Sequence, residues 1–323
     1  MGEKISRRNP QVSLSIIIVN WNSGEQLREC LESIVSATFD GFTLDKVIVV
    51  DNASSDGSAK NISDIKLPLQ VLYNKENLGF AAACNMGAKQ TSSDYLLFLN
   101  PDTKLFQDSL STPILFLEQP DKERIGILGV QLVDENGHVS RTCARFPTPG
   151  TYFSKMLGLN RLFPNLFPSH FMTEWDHGTS RIVDHVIGAF FLVRTSIFQE
   201  IGGFDERYFV YFEDLDFSLR TKYLGYVSYY LATTQICHKG GGSSEQIKAT
   251  RLFYSLRSRL VYSYKHFGFL SATSVMLGTV LLEPLSRLVW ALIRWEPRTM
   301  KETIEGYLLL WRSIPKILRT KRG

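Results

Sequence analysis

Apolar residues along this chain fall into two rhythms. Up to about residue 130, short unbroken apolar runs alternate with longer amphipathic stretches. The runs at 14–20 (Leu-Ser-Ile-Ile-Ile-Val-Asn), 46–51 (Lys-Val-Ile-Val-Val-Asp), 69–73 and 95–99 (Tyr-Leu-Leu-Phe-Leu) are too short for ordinary helices. The 95–99 run also lacks period-2 alternation, the pattern of a strand covered on both faces. A fifth strand is predicted at 125–130. Between the first two, Ser23 with Gln26 three residues on predicts a capping box. The helix it opens carries Leu27, Leu31, Ile34 and Val35 on one face. A loop at 74–79 leads into a helix of small residues at 81–88. Strands alternating with helices at this spacing predict βαβ units and a right-handed, mainly parallel sheet, hence an α/β fold.

Beyond residue 130 the rhythm loosens. Asn136-Gly137 predicts a hairpin turn. Residues 147–177, rich in proline and aromatics, read as a long functional loop or a set of short turns. A strand is expected at 183–193 around Gly188, then a short helix at 195–201 ended by Gly202-Gly203. Tyr208-Phe-Val-Tyr-Phe-Glu-Asp-Leu-Asp-Phe217 leads into a helix through Leu224. A flexible glycine-serine run at 240–244 precedes a long helix at 245–267. Residues 267–282 are sixteen positions free of charge, short of the roughly 20 that a spanning helix wants. Glu283-Pro284 then interrupts, and apolar character resumes at 288–293. We expect helices lying in a membrane interface, with Trp290, Trp295 and Trp311 at headgroup depth. A buried helix pair closing the domain and a kinked span are the alternatives. The expected division is 12–266 as one domain, its halves meeting near residue 130 (12–130 and 131–266), with 267–323 as the appended helices and basic tail.

Composition narrows this picture. With 323 residues, 44% hydrophobic and 21% charged, the chain folds rather than remaining disordered. The four cysteines show neither CxxC nor zinc spacing, and no apolar leader follows Met1. Reduced thiols in a cytosolic compartment are the expectation. Net charge is +4, but nine Lys and Arg against three Asp and Glu after residue 283 give +6 there, leaving −2 for the rest. Basicity confined to a tail argues against nucleic-acid binding and for an anionic surface met at one end.

The candidate chemistry gathers at strand ends. The 95–99 strand halts on Asn100-Pro101-Asp102, because proline cannot donate to a ladder. A carboxylate is thus delivered where open α/β sheets bind ligands. Asp51 ends the second strand, either accepting hydrogen bonds from a base or ribose or starting an Asx turn. Residues 20–25 (Asn-Trp-Asn-Ser-Gly-Glu) lack G-x-G-x-x-G, so no phosphate is cradled at the first turn. Asn77 and Asn85 either line the same crevice or serve as local caps. Asp102 suits a hard cation such as Mg²⁺ or Mn²⁺ bridging a diphosphate, with His238 as a second ligand for Mn²⁺. Glu213, Asp214 and Asp216 crowd three carboxylates at a helix start, beyond the single acid that dipole compensation needs. Asp214 and Asp216 project about 200° apart on that helix, and Asp214 is taken as the base.

In this order the segments resemble family 2 glycosyltransferases, which have the GT-A fold. The resemblance spans residues 14–266. It rests on Ser15-Ile-Ile-Ile-Val-Asn-Trp-Asn22, Asp51-Asn-Ala-Ser-Ser-Asp-Gly57, Asn77-Leu-Gly-Phe80 with Asn85, Asn100-Pro-Asp102, Gly188-Ala-Phe190, Glu213-Asp214 and His238. It implies that Asn20, Asn22, Asp51, Asn77, Gly79, Asn85, Asn100, Asp102 and Gly188 hold a nucleotide sugar. Asp102 is then the second acid of the metal-binding D-x-D, joined by His238, with Asn100 standing where the first acid belongs. Asp214 matches the catalytic base, with Glu213 and Asp216 at the acceptor or behind it. Asn-Pro-Asp with this N-terminal half resembles bacterial rhamnosyltransferases using dTDP-L-rhamnose. That implies an inverting transfer to a saccharide or polyprenyl-linked acceptor at the cytoplasmic face of the inner membrane, peripheral or monotopic. A UDP-hexose or UDP-galactofuranose donor, a nucleotidyltransferase, or a non-catalytic nucleotide-sugar-binding module are the competing readings. Association into oligomers is left open.

Overall fold

The computed structural model describes residues 12–240 and 248–319. The polar start through residue 11, the run 241–244, the first residues of the expected helix (245–247) and the last four of the basic tail lie outside the described residues.

The apolar runs become β1 (Val12–Asn20), β2 (Phe42–Asp51), β3 (Leu69–Tyr73) and β4 (Tyr95–Leu99). They lie parallel in the order β3-β2-β1-β4. Register pairs Asn20 with Asp51, and Ile18 with Leu99, so these strands end along one edge. Their helices are α1 (Glu25–Val35) and α2 (Phe80–Ala88). The capping box does not form. Gly24 takes the N-cap at φ 55° and Ser23 makes no side-chain cap. The Gly24 N–H is instead given to Asp56 Oδ2 at 2.8 Å. Leu27, Leu31 and Ile34 are buried as expected, whereas Val35 at the helix end is 43% exposed.

The second half of the sheet is mixed. After β5 (Thr103–Leu105) and α3 (Ser111–Leu117) comes β6 (Ile125–Val133). Asn136-Gly137 makes the expected turn, with Gly137 at φ 81° and a bridge from Val133 to Val139. The 147–177 stretch holds two short helices, α4 (Pro149–Met156) and α5 (Leu159–Leu162), among turns. The expected single strand at 183–193 is divided into β7 (Arg181–Val183) and β8 (Phe190–Arg194). Between them the chain leaves the ladder, because the Gly188 N–H is spent on Asp214. α6 (Thr195–Ile201), α7 (Glu213–Tyr223) and β9 (Val227–His238) follow. β8 runs antiparallel between β4 and β6, β9 parallel to β6, and β5 and β7 pair with opposite ends of β9. One face of the sheet buries α1 and α3, the other α2, α6 and α7. All four cysteines are free.

The C-terminal helices are α8 (Lys248–His266), α9 (Phe269–Leu277), α10 (Glu283–Ile293) and α11 (Pro297–Arg319). The expected break at Glu283-Pro284 is absent. A π turn at Gly278–Leu282 joins α9 to α10, giving one helix from Phe269 to Ile293. Pro284 has no N–H for the Val280 carbonyl four residues back, and Trp311 Nε1 donates to that oxygen at 3.3 Å. Glu283 is buried against Arg259 of α8 and pairs with Arg287 at 2.9 Å. The proline and acid therefore fasten this helix rather than stop it. α11 returns along α8, burying Tyr307 and Leu310 with Leu256, Leu260 and Tyr262.

Candidate active site

The strand ends, the 184–189 loop and the start of α7 enclose a cavity of about 1100 Å³. Asn77, Gly79, Asn100, Asp102, Gly188, Glu213, Asp214 and His238 all line it. Residues separated by more than a hundred positions converge there through main-chain contacts. The Asn100 N–H donates to Ala189 O at 3.1 Å, continuing the β4–β8 ladder. One residue earlier, the Gly188 N–H donates to Asp214 Oδ2 at 2.8 Å. The end of β4 thus fixes the loop that fixes Asp214. Asp214 Oδ1 also accepts from the Leu215 N–H at 2.8 Å.

Asp102 meets His238 because β5 and β9 pair Thr103 with His238. Asp102 Oδ1 lies 3.3 Å from His238 Nε2, both side chains largely covered. One carboxylate oxygen and one imidazole nitrogen facing a cavity fit Mg²⁺ or Mn²⁺. Such ions take one or two protein ligands and fill the shell with phosphate oxygens and water.

Other expected residues sit behind this surface. Asn20 Nδ2 donates to Asp51 Oδ1 at 2.8 Å and to Ser58 Oγ at 2.8 Å. Asn22 Oδ1 accepts from the Ser55 N–H at 2.8 Å. These amides hold the 51–57 loop and do not line the cavity. Asn52, which was not singled out in the sequence, does line it. Its Nδ2 donates to Asn77 Oδ1 at 2.8 Å and its Oδ1 accepts from the Leu78 N–H at 3.0 Å. Asn85 is buried away from the cavity, exchanging hydrogen bonds with the Phe204 main chain at 2.8 and 2.9 Å. Gly79, at φ 89°, is required twice over, since a Cβ there would meet Phe209 O at 2.4 Å. That close approach ties the donor side of the cavity to the segment entering α7.

The three acids of α7 separate by environment. Tyr211 and Phe212 hold φ of 67° and 73°, each costing about 1–3 kcal/mol for a non-glycine residue. The strained turn delivers Glu213 and Asp214 to the cavity. Glu213 is 5% exposed, and its Oε2 has no hydrogen-bond partner. Burial first, and the Asp214 charge second, push its carboxyl well above the usual range and favour its protonated form. Asp216 points the other way, fully buried among Arg220 at 2.7 Å, Lys265 at 2.7 Å and His266 at 2.7 Å. It joins α7 to α8 and does not line the cavity.

His185, passed over in the sequence as one imidazole in an apolar run, stands with Nε2 3.6 Å from Asp214 Oδ2. Ser218 gives its hydroxyl hydrogen to Asp214 O, so at 3.0 Å it accepts from His185 Nδ1. Burial holds the imidazole below its usual pKa against the pull of Asp214 and Asp184, leaving Nε2 bare beside the carboxylate. Tyr152, Lys155, His170 and Arg259 also line the cavity and were likewise unmarked.

Residues 15–202 match the model of "Glycosyl transferase family 2". That span takes in Asp51, Asn100, Asp102 and Gly188 but not Asp214 or His238. The chain is 26% identical over 274 residues to N-acetylglucosaminyl-diphospho-decaprenol L-rhamnosyltransferase of Mycobacterium tuberculosis, covering 79% of this chain and 85% of that protein. It is 27% identical over 175 residues to rhamnosyltransferase WbbL of Escherichia coli, covering 54% of this chain and 63% of that one. Among solved structures, it resembles the mannosyltransferase PcManGT from Pyrobaculum calidifontis, in complex with GDP-Man and Mn²⁺. The TM-score is 0.56 at 15% identity, over 92% of this chain and 86% of that one. GalNAc-T7 with UDP, GalNAc and Mn²⁺ aligns at a TM-score of 0.55 and 15% identity, over 79% of this chain and 48% of that one. The fold is thus of the GT-A type.

Proposed function

The chain belongs to glycosyl transferase family 2 and is a glycosyltransferase; from that premise we propose that it inverts the anomeric carbon of a nucleotide sugar, dTDP-L-rhamnose, as it transfers the sugar to a lipid-linked saccharide in surface polysaccharide synthesis. The observation that carries the reading is the shared cavity of Asp102 and Asp214, tied through Asn100, Ala189 and Gly188. The rhamnosyltransferase relatives support the sugar, and the diphospho-decaprenol in one relative's name supports the acceptor class.

In this reading Asp214 removes the proton from the acceptor hydroxyl as its oxygen attacks the anomeric carbon from the face opposite the leaving diphosphate. Such a base is worth about 10²–10⁴ in rate, or roughly 3–5 kcal/mol of barrier. The Gly188 and Leu215 N–H groups keep the carboxylate aimed, and the bare Nε2 of His185 lies ready to share the proton it takes. Glu213, whose burial favours its protonated form, is a poor second nucleophile, and a single base with no covalent partner gives inversion. Asp102 and His238 would hold Mg²⁺ or Mn²⁺, whose charge offsets that building on the departing nucleoside diphosphate. The base and ribose would lie toward Asn52 and Asn77, which line the cavity, with Asp51 buried behind them and held by Asn20.

The exposed face of the 269–293 helix supports a membrane-surface location, on the cytoplasmic side of the inner membrane. Leu270, Leu281, Leu285, Val289 and Ile293 are all open, while Ala272, Val275, Thr279 and Glu283 face the protein. The helix is long and apolar enough to cross a membrane, but its inner side is fastened to α8 through the buried Glu283–Arg259 pair, which favours lying along the interface. Wild-type protein should float with anionic vesicles and a Leu281→Glu/Leu285→Glu variant should not; equal flotation would remove this helix from the contact. The transfer itself is tested by a panel of dTDP- and UDP-sugars with and without Mn²⁺, read by thermal shift and by nucleoside diphosphate release. A ligand at 100 times its Kd adds ~2.7 kcal/mol of stability. Stabilisation and release with dTDP-L-rhamnose are expected, and preference for a UDP-sugar would replace the donor.

A further inference from the structure

The cavity also carries polar groups that the transfer reaction does not use. Lys155 of α4, an exposed residue, opens onto the cavity, and its ammonium makes no hydrogen bond or ion pair among the described residues. The charges acting on it are those of Arg259, Arg287 and Arg161, against the single carboxylate of Glu283. Four cations thus gather around one acid. Desolvation by the surrounding protein first, and then the Arg259 charge, lower the Lys155 ammonium to about 8. Two neutral groups beside it are also unspent, since the buried Tyr152 hydroxyl and His170 Nδ1 have no partner. Arg259 lies over the Tyr152 ring at 5.2 Å. Buried polar atoms are normally paired, and donors left open around an excess of positive charge describe a place for anionic oxygens.

The same seam borders the apolar helix. Phe153 and Met156 of α4 press on Gly278 so closely that a Cβ there would meet them at 2.8 and 3.0 Å. The Arg161 guanidinium sits 5.4 Å from the centre of the Trp290 ring. Leu162, Phe163 and Leu166 beyond it are exposed. A ligand reaching this point would meet cations on the cavity side and open apolar surface on the other.

We propose that the Lys155–Arg259 end of the cavity is an anion subsite that takes the phosphate or diphosphate joining the acceptor sugar to its lipid. The inference rests on the reading that the acceptor is lipid-linked, and it adds which residues recognise the link. Charge here selects the acceptor class, while the lipid chain runs out over α9 and α10.

The test is equilibrium binding of farnesyl diphosphate to the full chain, without divalent cation, beside inorganic pyrophosphate and farnesol. Farnesyl diphosphate should bind at least ten-fold more tightly than either comparator. Lys155→Gln should weaken it ten-fold or more, Lys155→Arg should restore it to within three-fold, and Asp102→Asn at the donor end should leave it within two-fold. Equal binding to wild type and Lys155→Gln overturns the subsite, as does a change of more than two-fold in either direction in Asp102→Asn, which would put the anion beside the donor-end carboxylate. Pyrophosphate as tight as farnesyl diphosphate overturns the lipid source. Because binding needs no turnover, a chain that binds this way yet releases no nucleoside diphosphate refutes sugar transfer and leaves the anion subsite standing.

Discussion

The two ends of the cavity are built on opposite plans. At the donor end, short polar side chains at the tips of buried strands are largely committed to one another. Asn20 ties Asp51, Asn22 ties Ser55, and Asn52 ties Asn77 and Leu78. At the acceptor end, Lys155 and Tyr152 of α4 and His170 of the following loop keep open donors and acceptors. The first plan fixes geometry before a ligand arrives, so a nucleotide meets a preorganised frame. The second gathers charge, as the proposed anion subsite requires. Asp214 stands between them, fastened by main-chain N–H groups that belong to the donor plan.

This contrast can be broken at several points. The largest effect is expected behind the site. Asp216→Asn leaves Arg220 and His266 without their anion, while Lys265 keeps Asp205 at 2.6 Å, and urea titration should show a loss of about 3–5 kcal/mol. A stable Asp216→Asn protein with depressed kcat would move Asp216 into the chemistry. Next comes the donor end itself. Asp102→Asn should lower kcat/KM by about 10², or roughly 2.7 kcal/mol, and abolish thermal stabilisation by donor with Mn²⁺; unchanged values would detach Asp102 from the diphosphate. The smallest effect is a pH dependence from Glu213. Its folded carboxyl titrates above the unfolded one, so its favourable contribution is complete below the ordinary Glu pKa and fades as pH rises. Glu213→Gln, which mimics the protonated form, should gain stability relative to wild type from about pH 5 upward, at up to ~1.4 kcal/mol per pH unit. A difference independent of pH would mean that Glu213 is ionised in the fold.

The same contrast explains what could be read in advance. β1, β2, β3 and β4 each hold a short, mainly apolar run halted by turn-forming residues, so strand ends and their acids were legible together. Asn100-Pro101-Asp102 and Glu213-Asp214 advertise themselves by local chemistry. β9 was missed because its inward and outward residues mix Tyr, Thr and Ala without a clean period, and β5 is only three residues long. His185, Lys155 and Arg259 each stand alone in sequence, and only the tertiary fold brings them to the cavity. Glu283-Pro284 misled because a proline inside an apolar run normally ends a helix. Here Trp311, twenty-seven positions after the proline in sequence, accepts the task of satisfying Val280 O.

The central claim is that one carboxylate takes the acceptor's proton while the donor is held elsewhere. Measuring kcat and donor Kd for Asp214→Asn tests it directly. We predict a donor Kd within a few-fold of wild type and a kcat lower by about 10² or more. Near-normal turnover by that variant would contradict the account.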